Sequence, residues 1–219
     1  MLIFKAPEVT VQRLSLYLRA LEKLPNNSVL SSKQFSKWIG VPDNQIRKDL
    51  AYFGYFGIRG RGYKVEKLKE EIIRILSLNQ KKELAIVGVG KLGTALLAYP
   101  GFKKDKFQVK LAFDNNPEKI GKTLEGVKVH DVEKIPRLLP RYKVKIGIIT
   151  TPASAAQYAA NKLIEGKVEG ILNFAPIRLI TPDNVRVKNV DLSMLLEILS
   201  FYLSRNYQLD LSDLSLARV

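Results

Sequence analysis

Apolar positions change their spacing once along this chain, from helical intervals near the N-terminus to short continuous runs beyond Glu83. Over residues 9–24, Val11, Leu14, Leu18 and Leu21 recur every three or four positions; Thr10 is placed to cap that helix and Pro25 stops it. A second, short helix is expected from Ser32 as its cap, with Phe35 and Ile39 inward, Trp38 close by, and Gly40 ending it. After the turn "VPDN" a third helix is expected over about 44–53. It carries Ile46, Leu50 and Phe53 on one face, Gln45, Lys48 and Tyr52 on the other, and Arg47 to the side. Helix, turn, helix with a polar outer face is the arrangement that enters a DNA major groove.

The run "LAYFGYFGIRGRGYKV" then crowds together Gly54, Gly57, Gly60 and Gly62. Glycine at that density costs backbone entropy and implies positive φ or a close backbone approach. Residues 57–65 read as a tight β-hairpin, a wing from which Arg59 and Arg61 project around Gly60, with Tyr63 following; residues 66–80 read as a connecting helix. Beyond it, "LAIVGVG", "VKLAFD", "KIGIITTP" and "GILNFAP" are β-rich runs separated by helical segments, the pattern of buried parallel strands in an α/β sheet. In "LSMLLEILSFYLSRN", Leu192, Leu195, Leu196, Leu199 and Leu203 form one stripe, and Ile198, Phe201 and Tyr202 widen it beyond one packing face. A second subunit is the expected cover. A membrane anchor is the other reading, which Glu197, Arg205 and the shortness of the run oppose.

The 219 residues are enough for two domains with real cores, drawn as 1–80, 81–190 and a C-terminal helix and tail over 191–219. A formal net charge of +15 favours a polyanionic partner over a merely solvated basic surface only if the charge is localised. It is: from Lys33 to Lys69 nine basic residues face three acidic ones, Asp43, Asp49 and Glu66. The absence of cysteine excludes disulfides, thiolate zinc sites and thiol nucleophiles, and a reducing cytoplasm is the expected home. The N-terminus lacks the pattern of a secretory signal, no uncharged run is long enough to span a bilayer, and no metal-ligating constellation is visible.

In "VGVGKLGTAL", Gly88, Gly90 and Gly93 have G-x-G-x-x-G spacing between a strand and a helix, with Val89, Lys91 and Leu92 between them. Backbone N–H groups there turn toward a pyrophosphate with no side chain in the way. The next strand ends at Asp114, twenty-one residues after Gly93, where a carboxylate can accept both ribose hydroxyls and repel a 2′-phosphate, favouring NAD(H) over NADP(H). Asp114 can also be read as a turn residue before "NNP". Thr150, Thr151, Pro152 and Ala153 follow one later strand and Asn173, Phe174, Ala175 and Pro176 another, as ligand contacts or as ordinary loops. His130, the only histidine, lies in a polar stretch and reads as a surface residue; Ser154 reads as a helix cap, since no histidine accompanies it, and no catalytic residue is assigned.

In order, "VQRLSLYLRALEKL", "QIRKDLAYFGYFGIRGRGY", "VGVGKLGTALLAYPGF", "AFDNNPEKIG", "TTPASAAQ", "ILNFAPIRL" and "NVDLSMLLEIL" resemble the Rex family of redox-sensing transcriptional repressors over essentially the whole chain. The resemblance implies an α/β protein: an N-terminal winged-helix domain, a Rossmann-like parallel-sheet domain and a C-terminal helix swapped in a homodimer. It implies palindromic operator DNA as partner, and NADH and NAD+ as sensed ligands, with NADH releasing the DNA. Carried over, it makes Gln45, Arg47 and Lys48 major-groove or phosphate contacts and Arg59, Gly60 and Arg61 the wing at the minor groove. Gly88, Gly90 and Gly93 would hold the pyrophosphate and Asp114 the ribose, with Thr151, Pro152, Ala153 and residues 173–176 near the ligand. Arg13, Tyr99 and Asp191 match a switch network, although Asp191 also reads as a helix cap, Tyr99 as core and Arg13 as solvated. Ser15 and Thr151 depart from the residues common in relatives, proline and valine. The competing reading is an NAD-dependent dehydrogenase with an incidental basic N-terminus, and a CoA-type ligand on the same fold is a third; the short chain after the nucleotide-binding unit leaves no substrate domain for an enzyme.

Overall fold

The computed structural model describes residues 6–54, 56–57, 61–104 and 106–204, which divide into two units, one up to Asn79 and one from Gln80. The first contains α1 (Glu8–Leu21), β1 (Val29–Leu30), α2 (Ser32–Ile39), α3 (Asp43–Ala51), β2 (Tyr63–Lys64) and α4 (Val65–Ile75). Its core gathers Leu14, Tyr17 and Leu21 of α1, Phe35 of α2, Ile46 and Leu50 of α3, and Val65, Leu68 and Ile72 of α4; Leu14, Leu21, Phe35, Ile46 and Leu50 belong to the expected stripes, whereas Val11, expected on the α1 stripe, is exposed.

Details differ from expectation for local reasons. Helix α1 begins at Glu8 after Pro7, and Thr10 is a buried residue of its first turn whose hydroxyl donates to Asp49 (3.2 Å). Ser31, not Ser32, caps α2, in a capping box with Gln34; Gly40, at φ +72°, ends the helix. Helix α3 stops at Ala51 although Phe53 is still buried, and α4 runs over 65–75 where 66–80 was expected. Strand β2 is antiparallel to β1, with Leu30 opposite Tyr63 and Val29 opposite Lys64, so the expected wing is tied to the chain before α2. Gly62 makes that pairing fit, because at φ +88° a Cβ there would lie 2.6 Å from the Leu30 carbonyl oxygen. Residues 58–60 lie outside the described residues.

One buried carboxylate ties α3 to α1. Asp49 is fully buried and accepts hydrogen bonds from Arg13 Nε (2.5 Å) and Nη2 (2.7 Å), Tyr17 Oη (2.6 Å), Gln45 Nε2 (2.8 Å) and Thr10 Oγ1. Burial pushes its carboxyl upward, but the donors and the Arg13 charge outweigh burial and hold it below the ordinary value. Burial and the bond to Asp49 push the Tyr17 phenol up, so it stays protonated as a donor.

The second unit is a seven-stranded sheet in the order β5-β6-β4-β3-β7-β8-β9, parallel throughout except for the β5/β6 pair. The four expected strands are β3 (Lys82–Val87), β4 (Phe107–Asp114), β7 (Ile146–Ile149) and β8 (Gly170–Asn173); β5 (Thr123–Leu124), β6 (Val127–Asp131) and β9 (Arg186–Asn189) were not expected. Helices α5 (Lys91–Leu97), α6 (Pro100–Lys104), α7 (Ile135–Arg141) and α8 (Ala153–Glu165) lie between strands. One face packs Ala85, Val87, Leu111 and Phe113 on Leu139 of α7 and Ala156, Ala160 and Leu163 of α8; the other packs Leu84, Ile86 and Ile148 on Leu96, Leu97 and Phe102. Connections leave β3 toward β4 on one side and reach β7 on the other, so the sheet has a topological switch point between the carboxyl ends of β3 and β7. His130, expected at the surface, is half-buried on β6 with its ring 6.0 Å from Phe113; burial, then Lys128 and Lys134, lower its pKa.

Helix α9 (Leu192–Ser204) buries no residue, and Leu196 and Leu203 are 66% and 75% exposed. Among the described residues no helix is long and apolar enough to cross a membrane, and no cluster of His, Cys, Asp or Glu could hold a metal.

Replacing Asp49 by Ala strands the Arg13 charge, whose side chain is only 11% exposed, and is expected to cost the first unit about 3 to 5 kcal/mol. Trp38, the single tryptophan, lies in that unit, so its emission during urea unfolding reads the loss. Because the folded carboxyl titrates below the unfolded one, its contribution is present at neutral pH and vanishes as pH falls through the folded value. The Asp49→Asn midpoint is therefore expected to be lower at pH 7 and less acid-sensitive than that of the unaltered protein.

Candidate functional site

At the switch point lies a cleft of about 500 Å³, floored by Val87, Gly88 and Gly90 and walled by Asp114, Asn115 and Asn116 on one side and Thr150, Thr151 and Pro152 on the other. The loop after β3 is shaped by contact. A Cβ on Gly93 would lie 1.9 Å from the Gly88 carbonyl oxygen and 2.9 Å from Thr150 Oγ1, which itself donates to that carbonyl (2.6 Å). Gly90 is different: a Cβ there would meet nothing within 4 Å, so its missing side chain leaves room in the cleft. Two glycines allow close packing and one keeps the floor bare, the division of labour of a phosphate-binding loop.

Asp114 closes the end of β4 and is 7% exposed. Its Oδ2 accepts from the Val89 N–H (2.8 Å) and Lys119 Nζ (3.3 Å), its Oδ1 from the Asn116 N–H (2.9 Å). Burial would raise the carboxyl, but these donors prevail and keep it ionised, as an acceptor for ligand hydroxyls must be. Across the cleft Thr151 lines the wall, its hydroxyl oxygen buried and without a hydrogen-bond partner among the described residues. A bare glycine floor beside an ionised carboxylate fits a bound polar ligand such as a dinucleotide.

Other expected contacts are placed elsewhere. The Val89 side chain is buried, Leu92 is 40% exposed, and neither these two nor Lys91 nor Ala153 lines the cleft. Asn173 is fully buried and its amide is spent on the Ala175 and Ile177 carbonyls and on Asn189 Oδ1, so it holds the loop after β8; Phe174 packs beside Leu84, Ile86 and Ile148. Lining residues that sequence reasoning missed are Val87, Asn115, Asn116, Lys119, Val132, Ala155, Tyr158 and Ala159; Ser154, read as a helix cap, lies inside α8 and lines the cleft, while Pro152 holds the cap position. Ala155, Tyr158 and Ala159 share one face of α8 by their three- and four-residue spacing, a signal hidden in an alanine-rich helix. The Tyr158 hydroxyl donates to Glu133, which also pairs with Lys162 (2.9 Å).

On the first unit, Lys48 and Arg61 are exposed, and Arg47 is an exposed residue bonded to Asp43 and to Ser32 Oγ (2.9 Å). The Gln45 side chain is turned onto Asp49. Tyr63, expected at the DNA surface, is 8% exposed and belongs to the core, and burial raises its pKa. Arg59 and Gly60 lie outside the described residues. Of the residues assigned to a switch, Arg13 has Nε and Nη2 bonded to Asp49, Tyr99 is 53% exposed and edge-on to Phe102, and Asp191 Oδ1 accepts the Met194 N–H (3.0 Å) and so caps α9.

Known proteins match this arrangement. Residues 79–177 fit the family model described as "CoA binding domain", and residues 5–51 the one described as "Putative DNA-binding protein N-terminus". The protein named redox-sensing transcriptional repressor Rex from Pelotomaculum thermopropionicum is 44% identical, covering 91% of this chain and 94% of its own length. The protein of the same name from Thermus thermophilus is 45% identical over 90% and 93%. Among solved structures, RSP in complex with β-NAD+ and operator DNA superposes with a TM-score of 0.87 at 39% identity, covering 92% of this chain and 94% of that one. RSP in complex with β-NADH gives 0.82 at 37% identity over 92% and 96%.

The two kinds of glycine separate in a stability measurement. Gly93→Ala is expected to lose about 3 kcal/mol through the clash with Gly88, whereas Gly90→Ala is expected to stay within about 1 kcal/mol of the unaltered protein. Calorimetric melting of the two variants checks both values.

Proposed function

The chain belongs to the Rex family of redox-sensing transcriptional repressors, and on that premise we propose that it is itself a repressor that NADH releases from operator DNA. The observation that carries the reading is the pairing, in one chain, of a helix-turn-helix unit bearing exposed Lys48 and Arg61 with a sheet whose switch-point cleft is built for a dinucleotide. In this reading Gly88 and Gly90 accept the pyrophosphate, Asp114 takes the adenosine ribose, and Thr151 and Pro152 wall the ligand on the other side. The CoA-type ligand named by the family model is disfavoured by RSP, a relative at 39% and 37% identity whose complexes hold NAD+ and NADH. The dinucleotide supplies the signal through its nicotinamide, cationic when oxidised and neutral when reduced. In this reading the protein senses that difference and transfers no hydride, in keeping with the repressor names of its relatives.

On the DNA side, α3 enters the major groove with Arg47 and Lys48, and Arg61, with Arg59 and Gly60 beside it in sequence, approaches the minor groove. Gln45 must leave Asp49 to reach a base. The uncovered apolar length of α9 is buried by a second copy in a swapped homodimer, which makes the operator palindromic. Tyr99 and Asp191 belong to the switch, and Arg13 joins it through Nη1, the guanidinium nitrogen not bonded to Asp49.

NADH shifts the equilibrium only through unequal affinity for the DNA-competent and DNA-incompetent arrangements; a coupling of about 1 to 3 kcal/mol, a 5- to 150-fold loss of operator affinity, is expected. Fluorescence anisotropy of a labelled palindromic operator tests this: release by NADH at concentrations where NAD+ does not release is expected, and indifference to both would refute the reading. In the same assay Lys48→Ala or Arg61→Ala should weaken DNA binding and lower the slope of log affinity against log salt by about 1, with NADH affinity unchanged.

A further inference from the structure

Asp114 accounts for a preference for an unphosphorylated ribose, but it does not stand alone. Lys119 Nζ lies 3.3 Å from Asp114 Oδ2, and the Lys119 side chain is 35% exposed against 8% for Asp114, so the ammonium is the more open member of the pair and lines the cleft with it. Its backbone is fixed. The Lys119 N–H bonds the Asn116 carbonyl (3.0 Å), the Gly121 N–H bonds the Val129 carbonyl of β6 (2.9 Å), and the Val129 N–H bonds the Lys122 carbonyl (2.8 Å), which staples the loop to the sheet. Asp114 in turn is held by the Val89 and Asn116 amides, independently of Lys119.

We propose that Lys119 is a specificity-determining residue, a cation that Asp114 holds beside the ribose position and that sets how strongly the cleft excludes a 2′-phosphorylated adenosine ribose. The proposal rests on the reading of the cleft as an NADH site. A 2′-hydroxyl donates to the carboxylate, and Lys119 balances the charge without opposing the ligand. A 2′-phosphate brings about two negative charges against the carboxylate, and the ammonium is the group that attracts it. Selectivity is the difference between these two terms. Asp114 therefore sets the direction of the preference and Lys119 its size. With the carboxylate neutralised, the same lysine becomes a phosphate-binding residue.

Equilibrium titration with NADH and with NADPH, followed by nicotinamide fluorescence at fixed salt, measures the ratio of the NADPH to the NADH dissociation constant in four full-length proteins: unaltered, Lys119→Met, Asp114→Asn, and the double variant. Lys119→Met is expected to raise the ratio about tenfold, and Asp114→Asn to lower it by at least about as much. The NADPH binding gained by Asp114→Asn is expected to disappear in the double variant, which keeps the test decisive where NADPH binds the unaltered protein too weakly to measure. Ratios equal within about twofold with and without Lys119, on either background, would overturn the proposal while NADH binding persisted. Failure of the unaltered protein to bind NADH would overturn both the proposal and the reading on which it rests.

Discussion

The cleft exists because α5 starts against the loop that precedes it, with Gly93 packed on the Gly88 carbonyl more closely than any side chain allows. That contact draws the turn tight enough for Thr150, at the end of β7, to hydrogen-bond the same carbonyl, which ties β3 and β7 together at the point where the sheet changes direction. The bare floor at Gly90 lies in the same turn: two glycines are packed closely and the third stays open. Asp114 shares the constraint, since the Val89 amide that it accepts belongs to the same loop. Glycine spacing, carboxylate and threonine thus form one unit held by backbone contact.

The first unit depends on a charge in the same way. Asp49 points from α3 into a largely apolar core, and it is tolerable there because five donor atoms from four residues surround it. A buried carboxylate with those partners is weak evidence of net stability, but it fixes the pose of α3 on α1, because any other pose leaves charge or hydroxyl unpaired. Arg13 and Gln45, both expected to act elsewhere, share this carboxylate. A residue expected at the DNA, Gln45, and one assigned to the switch, Arg13, therefore draw on the same buried acceptor.

Much of this was legible in the chain. The α1 and α3 stripes and the four central strands were visible as spacing, because a buried helix face and a buried parallel strand leave strong apolar signatures. Strands β5, β6 and β9 were not, since "VKVHD" alternates and "RVKN" is half-polar at the sheet edge, where no apolar run is needed. The pairing of β2 with β1 was not legible, because the Leu30–Tyr63 contact is made across the chain, and the same contact accompanies burial of the tyrosine that looked like a DNA contact. Gly88, Gly90 and Asp114 were found by spacing, whereas Lys119 and Tyr158 gain meaning only once a loop and a helix face bring them to the cleft. Asp49 was counted as one acid among many bases; its burial becomes visible only when α1 is laid against it.

The central claim is that operator DNA and NADH bias one equilibrium, and thermodynamic linkage makes that claim reciprocal. The most direct measurement is the dissociation constant of NADH, read from nicotinamide fluorescence at fixed salt, with and without saturating palindromic operator. The account predicts that operator weakens NADH binding by the same factor by which NADH weakens operator binding. An NADH affinity unchanged by operator, in a protein that binds both, would contradict it.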